Sequence, residues 1–119
     1  MEPQALSWTC AACSLSWVTA ALASFNEHMP YVGRAKAIEL LGHPSCINET
    51  YGLMSQQCMV DAFEALGLVA RQAWVTFDQA YTIASAHTGT INPVGMYHVM
   101  GVRGVDPLTG ALWVANSAP

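Results

Sequence analysis

The spacing of apolar residues changes once along this chain, from a helical period to an alternating one, and that change limits the folds open to it. Across residues 11–26, Leu15, Val18, Leu22 and Phe25 recur at helical spacing, with Ser7 or Thr9 available as the cap. His28-Met29-Pro30-Tyr31 breaks this pattern. A second short helix through Ala35, Ile38, Leu40 and Leu41 is stopped by Gly42. Residues 48–52 read as irregular. Ser55 then caps a third helix whose apolar face is Met59, Ala62, Phe63 and Leu66, and Gly67 ends it.

The character of the chain changes at Leu68. Residues 68–75 read as a strand-like run, Thr76 and Asp78 start another short helix, and Gly89 ends it. Residues 90–95, 96–103 and 111–115 are expected to be strands, with residues 104–110 as a hairpin loop between the last two. Helices first and strands afterwards is the α+β order, not that of alternating crossover units. No repeat or linker divides the chain, so residues 1–119 read as one domain.

At 119 residues such a domain can bury roughly two thirds of its unfolded surface. Charged residues are 10% of the chain, against about 25% in an average soluble domain. The formal charge is −4, and Arg34, Lys36, Arg71 and Arg103 are the fixed positive charges. With no basic patch, nucleic acid is excluded as a partner. The N-terminus has no basic segment leading into an apolar core, so no signal peptide is read. Residues 15–25 lean apolar but are interrupted by Ser16, Thr19 and Ser24 and reach only about half a membrane span, so no membrane insertion is expected. These features imply cytoplasmic synthesis, with release or export by another route left open.

The candidate chemistry starts at Cys10, at the head of the first helix. A thiol there faces unpaired backbone N–H groups and the positive end of the helix dipole, which favour thiolate. Against this, cysteine is among the most buried residue types and often merely packs. The helical stripe sets Cys10 on its flank and Cys13 nearly opposite its centre, so the two thiols are expected to have different surroundings. Of His28, His43, His87 and His98, the last stands inside an expected strand, where alternation places His98, Met100 and Val102 on one face and Tyr97, Val99 and Gly101 on the other. Asn116, at the end of the neighbouring strand, is placed to orient the imidazole. Nucleophile, base and orienter are then all present.

These residues resemble the papain-like cysteine peptidases, closest to the double-glycine leader peptidase-like domains. Gln4 precedes Cys10, the helix opens Cys10-Ala11-Ala12-Cys13-Ser14-Leu15, and His98 is followed by Asn116. The segments 97–103 and 112–117 also look like peptidase domains of actinobacterial phage lysins. The resemblance implies a papain-like fold, with the nucleophile starting the first helix and that helix packed on a C-terminal antiparallel sheet. It further implies Cys10 as nucleophile, His98 as general base, Asn116 as its orienter, and the Gln4 side chain with the Cys10 backbone N–H as oxyanion hole. No cofactor is implied. The substrate class implied is a peptide or a peptidoglycan peptide.

The chain departs from the family pattern in two places. Ala11 stands where glycine often follows the nucleophile, and the chain ends at Pro119, three residues after Asn116, where relatives continue into further strands. The latter implies a fragment or a sheet completed by something else. Alignment through Cys-x-x-Cys would make Cys13 the nucleophile, but Ser14 then replaces the expected aromatic.

Other readings stand beside this one. Cys10, Cys13, His43 and Cys46 could form a zinc site in a non-catalytic binding or structural module of the same fold. Disulfides Cys46–Cys58 or Cys13–Cys46, or simple packing thiols, are open for the cysteines. Gln4 can equally be an exposed terminal residue. Trp8, Trp17, Trp74 and Trp113 are expected in the core or a cleft wall. His28, His43 and His87 are expected to be solvated, Asp61 and Glu64 to lie on the wet face of the third helix, and Asp106 in a turn.

Overall fold

In the computed structural model the described residues are 7–25, 30–50, 52–84, 89–91, 99–105, 108–109 and 112–115. A 3-10 turn over Ser7–Thr9 leads directly into α1 (Cys10–Phe25), followed by α2 (Arg34–Leu41) and a hairpin of β1 (Ile47–Asn48) and β2 (Gly52–Leu53). Then come α3 (Gln56–Ala65), α4 (Phe77–Ala84), β3 (Gly89–Ile91), β4 (Met100–Val105) and β5 (Leu112–Ala115). The molecule is a small compact α+β domain whose helices pack with two small antiparallel sheets. No helix among the described residues is long and apolar enough to cross a membrane.

α1 is the centre of the core. Its small residues Ala11, Ala12 and Ser14 are fully buried, as are Leu15 and Thr19, and α2, α3 and β4 all pack against it. A helix covered on several sides is apolar nearly all round instead of along one stripe. Cys10 and Cys13 are both buried, and their surroundings differ as expected: Cys10 belongs to the apolar cluster that includes Val99, and Cys13 lies outside it. The entry to α2 is held by Thr19, whose hydroxyl accepts the Val32 N–H at 3.2 Å and donates to the Ser16 carbonyl at 2.8 Å.

The helix ends follow their glycines. Gly42 takes φ +85° and returns its N–H to the Ile38 carbonyl at 3.0 Å. After α3, Gly67 at φ +82° lets Gly67 N–H bond Glu64 O at 2.9 Å and Leu68 N–H bond Phe63 O at 3.1 Å. This paired closure satisfies carbonyls that the last helical turn leaves without partners. Ser55 is the N-cap of α3, although its hydroxyl makes no cap hydrogen bond.

Residues 68–75 are a correction. They are neither helix nor strand, and Val69 is 99% and Trp74 89% exposed. Leu68 and Ala70 still pack against the core, so these two are apolar for a reason other than strand pairing. Trp74 is therefore neither core nor cleft wall, whereas Trp8 and Trp17 are half-buried against the core. Residues 48–52, read as irregular, include part of the β1–β2 hairpin, paired Ile47↔Leu53 and Asn48↔Gly52. Its turn is closed by the Thr50 N–H donating to Asn48 Oδ1 at 2.9 Å, with Gly52 at φ +68°. Gly89, expected to end α4, instead begins β3.

In the second sheet β4 lies between β3 and β5, both antiparallel to it. The registers are Gly89↔Val102, Thr90↔Gly101 and Ile91↔Met100 on one side, and Gly101↔Ala115 and Val102↔Val114 on the other. A register shift between Val102 and Val105 follows, so residues 104–105 belong to the strand and not to the expected loop. Gly101 faces α1 so closely that a Cβ there would sit 2.7 Å from Trp17 Cζ3. Only glycine allows this sheet–helix approach.

Candidate functional site

Cys10 is the first residue of α1 and the place where the helix meets the chain entering β4. Its Sγ accepts the Val99 N–H at 3.4 Å, and one turn further along α1 the Ser14 hydroxyl donates to the Val99 carbonyl at 2.8 Å. Positions separated by four residues share a helix face. The two side chains thus satisfy both polar groups of one peptide-bearing residue, and Val99 itself is 1% exposed within the same apolar cluster as Cys10. This clamp joins positions 85 and 89 residues apart in sequence. In the sequence, the spacing of four between Cys10 and Ser14 is the signal for this pairing.

Cys10 is 3% exposed and Cys13 0%, and neither is in a disulfide. Of the expected site residues, Cys10 is therefore placed at the N-terminus of α1 as anticipated. Gln4, His98 and Asn116 lie outside the described residues, as do His28, His87, Asp106 and the side chain of Trp113.

Beside the start of α1 stands a second polar group. The Trp8 and His43 rings lie with centroids 5.0 Å apart and tilted by 37°, and His43 Nε2 is 2.8 Å from Glu49 Oε1. His43 is partly exposed as expected, but it is engaged, not merely solvated. Its hydrogen bond to Glu49, aided by the backbone and by charge, holds the Glu49 carboxyl below its usual range. Asp61 and Glu64 are on the exposed side of α3, as expected.

The zinc set is corrected. Cys46 is bonded to Cys58, which removes it as a thiolate ligand, and His43 Nε2 is directed to Glu49. Among the described residues no group of three or more His, Cys, Asp or Glu is arranged to hold a metal ion. The disulfide instead pins the hairpin to the first turn of α3. The pairing Cys13–Cys46 is excluded by the same bond.

Comparison with protein-family models, with curated proteins and with solved structures gives no match.

Proposed function

We propose that this chain is a papain-like cysteine peptidase in which Cys10 attacks an amide carbonyl and forms an acyl-thioester. The observation that carries the reading is the Val99 N–H at 3.4 Å from Cys10 Sγ, because it brings the residue following His98 against the thiol. In this reading His98 takes the thiol proton, protonates the leaving amine and then activates water for deacylation. Asn116 orients the imidazole, and Gln4 with the Cys10 backbone N–H receives the oxyanion. The substrate is a peptide, with a peptidoglycan stem or cross-bridge peptide as the first to be tried. No cofactor takes part.

The geometry places two requirements on this reading. Val99 and Gly101 both face α1, and strict alternation would turn position 98 away from it. Val99 precedes β4, which begins at Met100, and the reading needs position 98 to break that alternation. The thiol is 3% exposed, so substrate must displace part of its cover. That burial favours a second reading, a non-catalytic binding or structural module in which Cys10 only packs.

The test is hydrolysis of purified peptidoglycan and of a mixed peptide library, read as newly released amines. Wild type and Cys13→Ala should cleave, while Cys10→Ala should fall to background. Cleavage undiminished in Cys10→Ala, or none by wild type on either substrate, overturns the peptidase and leaves the packing thiol.

A further inference from the structure

We infer that Cys10 and Cys13 form a reversible disulfide on exposure to peroxide, a modification site at the head of α1; its consequence, a switch on the nucleophile, rests on the peptidase reading, but the bond itself does not. The chain has four cysteines, and Cys46 and Cys58 are already joined to each other. Cys10 and Cys13 are therefore each other's remaining intramolecular partner, three residues apart in the first turn of one helix.

The backbone distance suits the bond. Helical geometry puts Cα atoms three residues apart at about 5 Å, within the window of about 4.4–6.8 Å that disulfides occupy. The Cβ atoms of such a pair start about 5–6 Å apart and must close to about 4 Å, so one residue has to leave helical geometry. Cys10 can do so because it is the first residue of α1, at the junction with the 3-10 turn Ser7–Thr9, and helix ends give way more readily than helix interiors. The movement would cost the Val99 N–H contact to its sulfur while leaving the Ser14 bond to the Val99 carbonyl in place.

Burial selects the oxidant. With Cys10 3% and Cys13 0% exposed, a small oxidant reaches the thiols more readily than a bulky disulfide does, and a hydroperoxide is little larger than water. The Cys10 sulfur attacks one peroxide oxygen; the S–O bond forms as the O–O bond breaks, and the departing hydroxide takes the thiol proton to give water. The Cys13 sulfur then attacks the sulfenic sulfur; the S–S bond forms, the S–OH bond breaks, and the hydroxide leaves with the Cys13 proton as a second water. Two electrons pass from the thiols to the peroxide. An external dithiol reverses the bond by exchange.

The experiment treats wild-type protein with hydrogen peroxide, unfolds it in excess iodoacetamide, and maps the peptides without reduction. The peptide carrying Cys10 and Cys13 should lose two hydrogens and take no alkyl group, and brief dithiothreitol before quenching should restore alkylation at both. Before unfolding, Cys10 alkylation should fall about tenfold after peroxide in wild type and recover with dithiothreitol. In Cys13→Ala, Cys10 should instead advance to sulfinic or sulfonic acid that dithiothreitol does not reverse. Irreversible oxidation of Cys10 in wild type, or two cysteines still fully alkylated after peroxide, overturns the inference. Should Cys13→Ala fail to fold, the wild-type map alone decides. A cross-link in protein that cleaves no peptide sinks the peptidase and keeps the modification site; cleavage without a cross-link does the reverse.

Discussion

Removing the Ser14 hydroxyl isolates one half of the clamp on Val99. Ser14→Ala leaves a buried carbonyl without its donor, and it should destabilise the domain by about 1–3 kcal/mol, read from the urea midpoint. An unchanged midpoint would show that the 2.8 Å bond contributes nothing. Gly101→Ala probes the opposite problem, since its methyl would overlap the Trp17 ring. Overpacking of this kind costs about 1–3 kcal/mol, and thermal unfolding at wild-type temperature would contradict so close an approach of β4 to α1. At the surface, the hydrogen bond from His43 depresses the Glu49 carboxyl. A depressed carboxyl contributes stability above its usual titration range and loses it as pH falls through the lowered value. The Glu49 carboxyl carbon should therefore titrate below the ordinary carboxylate range by NMR and move up in His43→Ala; identical titrations in the two proteins would remove His43 as the cause.

At the scale of elements, the Cys46–Cys58 bond adds a covalent cross-link between the residue before β1 and α3. Its sequence separation of 12 closes a short loop, and loss of such a bond typically costs about 2–4 kcal/mol. Paired replacement Cys46→Ala with Cys58→Ala should lower the denaturant midpoint accordingly without unfolding α1, monitored by circular dichroism. The helices were legible because their signals are local: apolar spacing fixes each body, and Gly42 and Gly67 supply the positive φ that ends α2 and α3. The strip after Gly67 was not. Leu68 and Ala70 pack against the core while Val69 is exposed, but the alternation fails at Trp74, which shares their parity and is exposed, and a ladder depends on a partner elsewhere in the chain. The β1–β2 hairpin was missed for the reverse reason. Two pairs held by an Asn48 side-chain turn are too few to show a period.

Across the whole molecule, α1 joins the helical half to the sheet, and Cys10 lies at that junction. Sequence alone placed the thiol at the helix start, because capping and spacing are local properties. Contact between that thiol and position 99 depends on a separation of 89 residues and on the small side chains that let α1 bury itself on several sides. If the junction is catalytic, residue 98 must complete what Val99 begins. The most direct test is the rate of Cys10 alkylation by iodoacetamide, located by peptide mapping, in wild type and His98→Ala. A thiol activated by a neighbouring imidazole reacts faster than one that only packs. Wild type should label Cys10 ahead of Cys13, and His98→Ala should slow Cys10 by at least about tenfold. Equal rates in the two proteins, with Cys10 as slow as buried Cys13, would contradict the account.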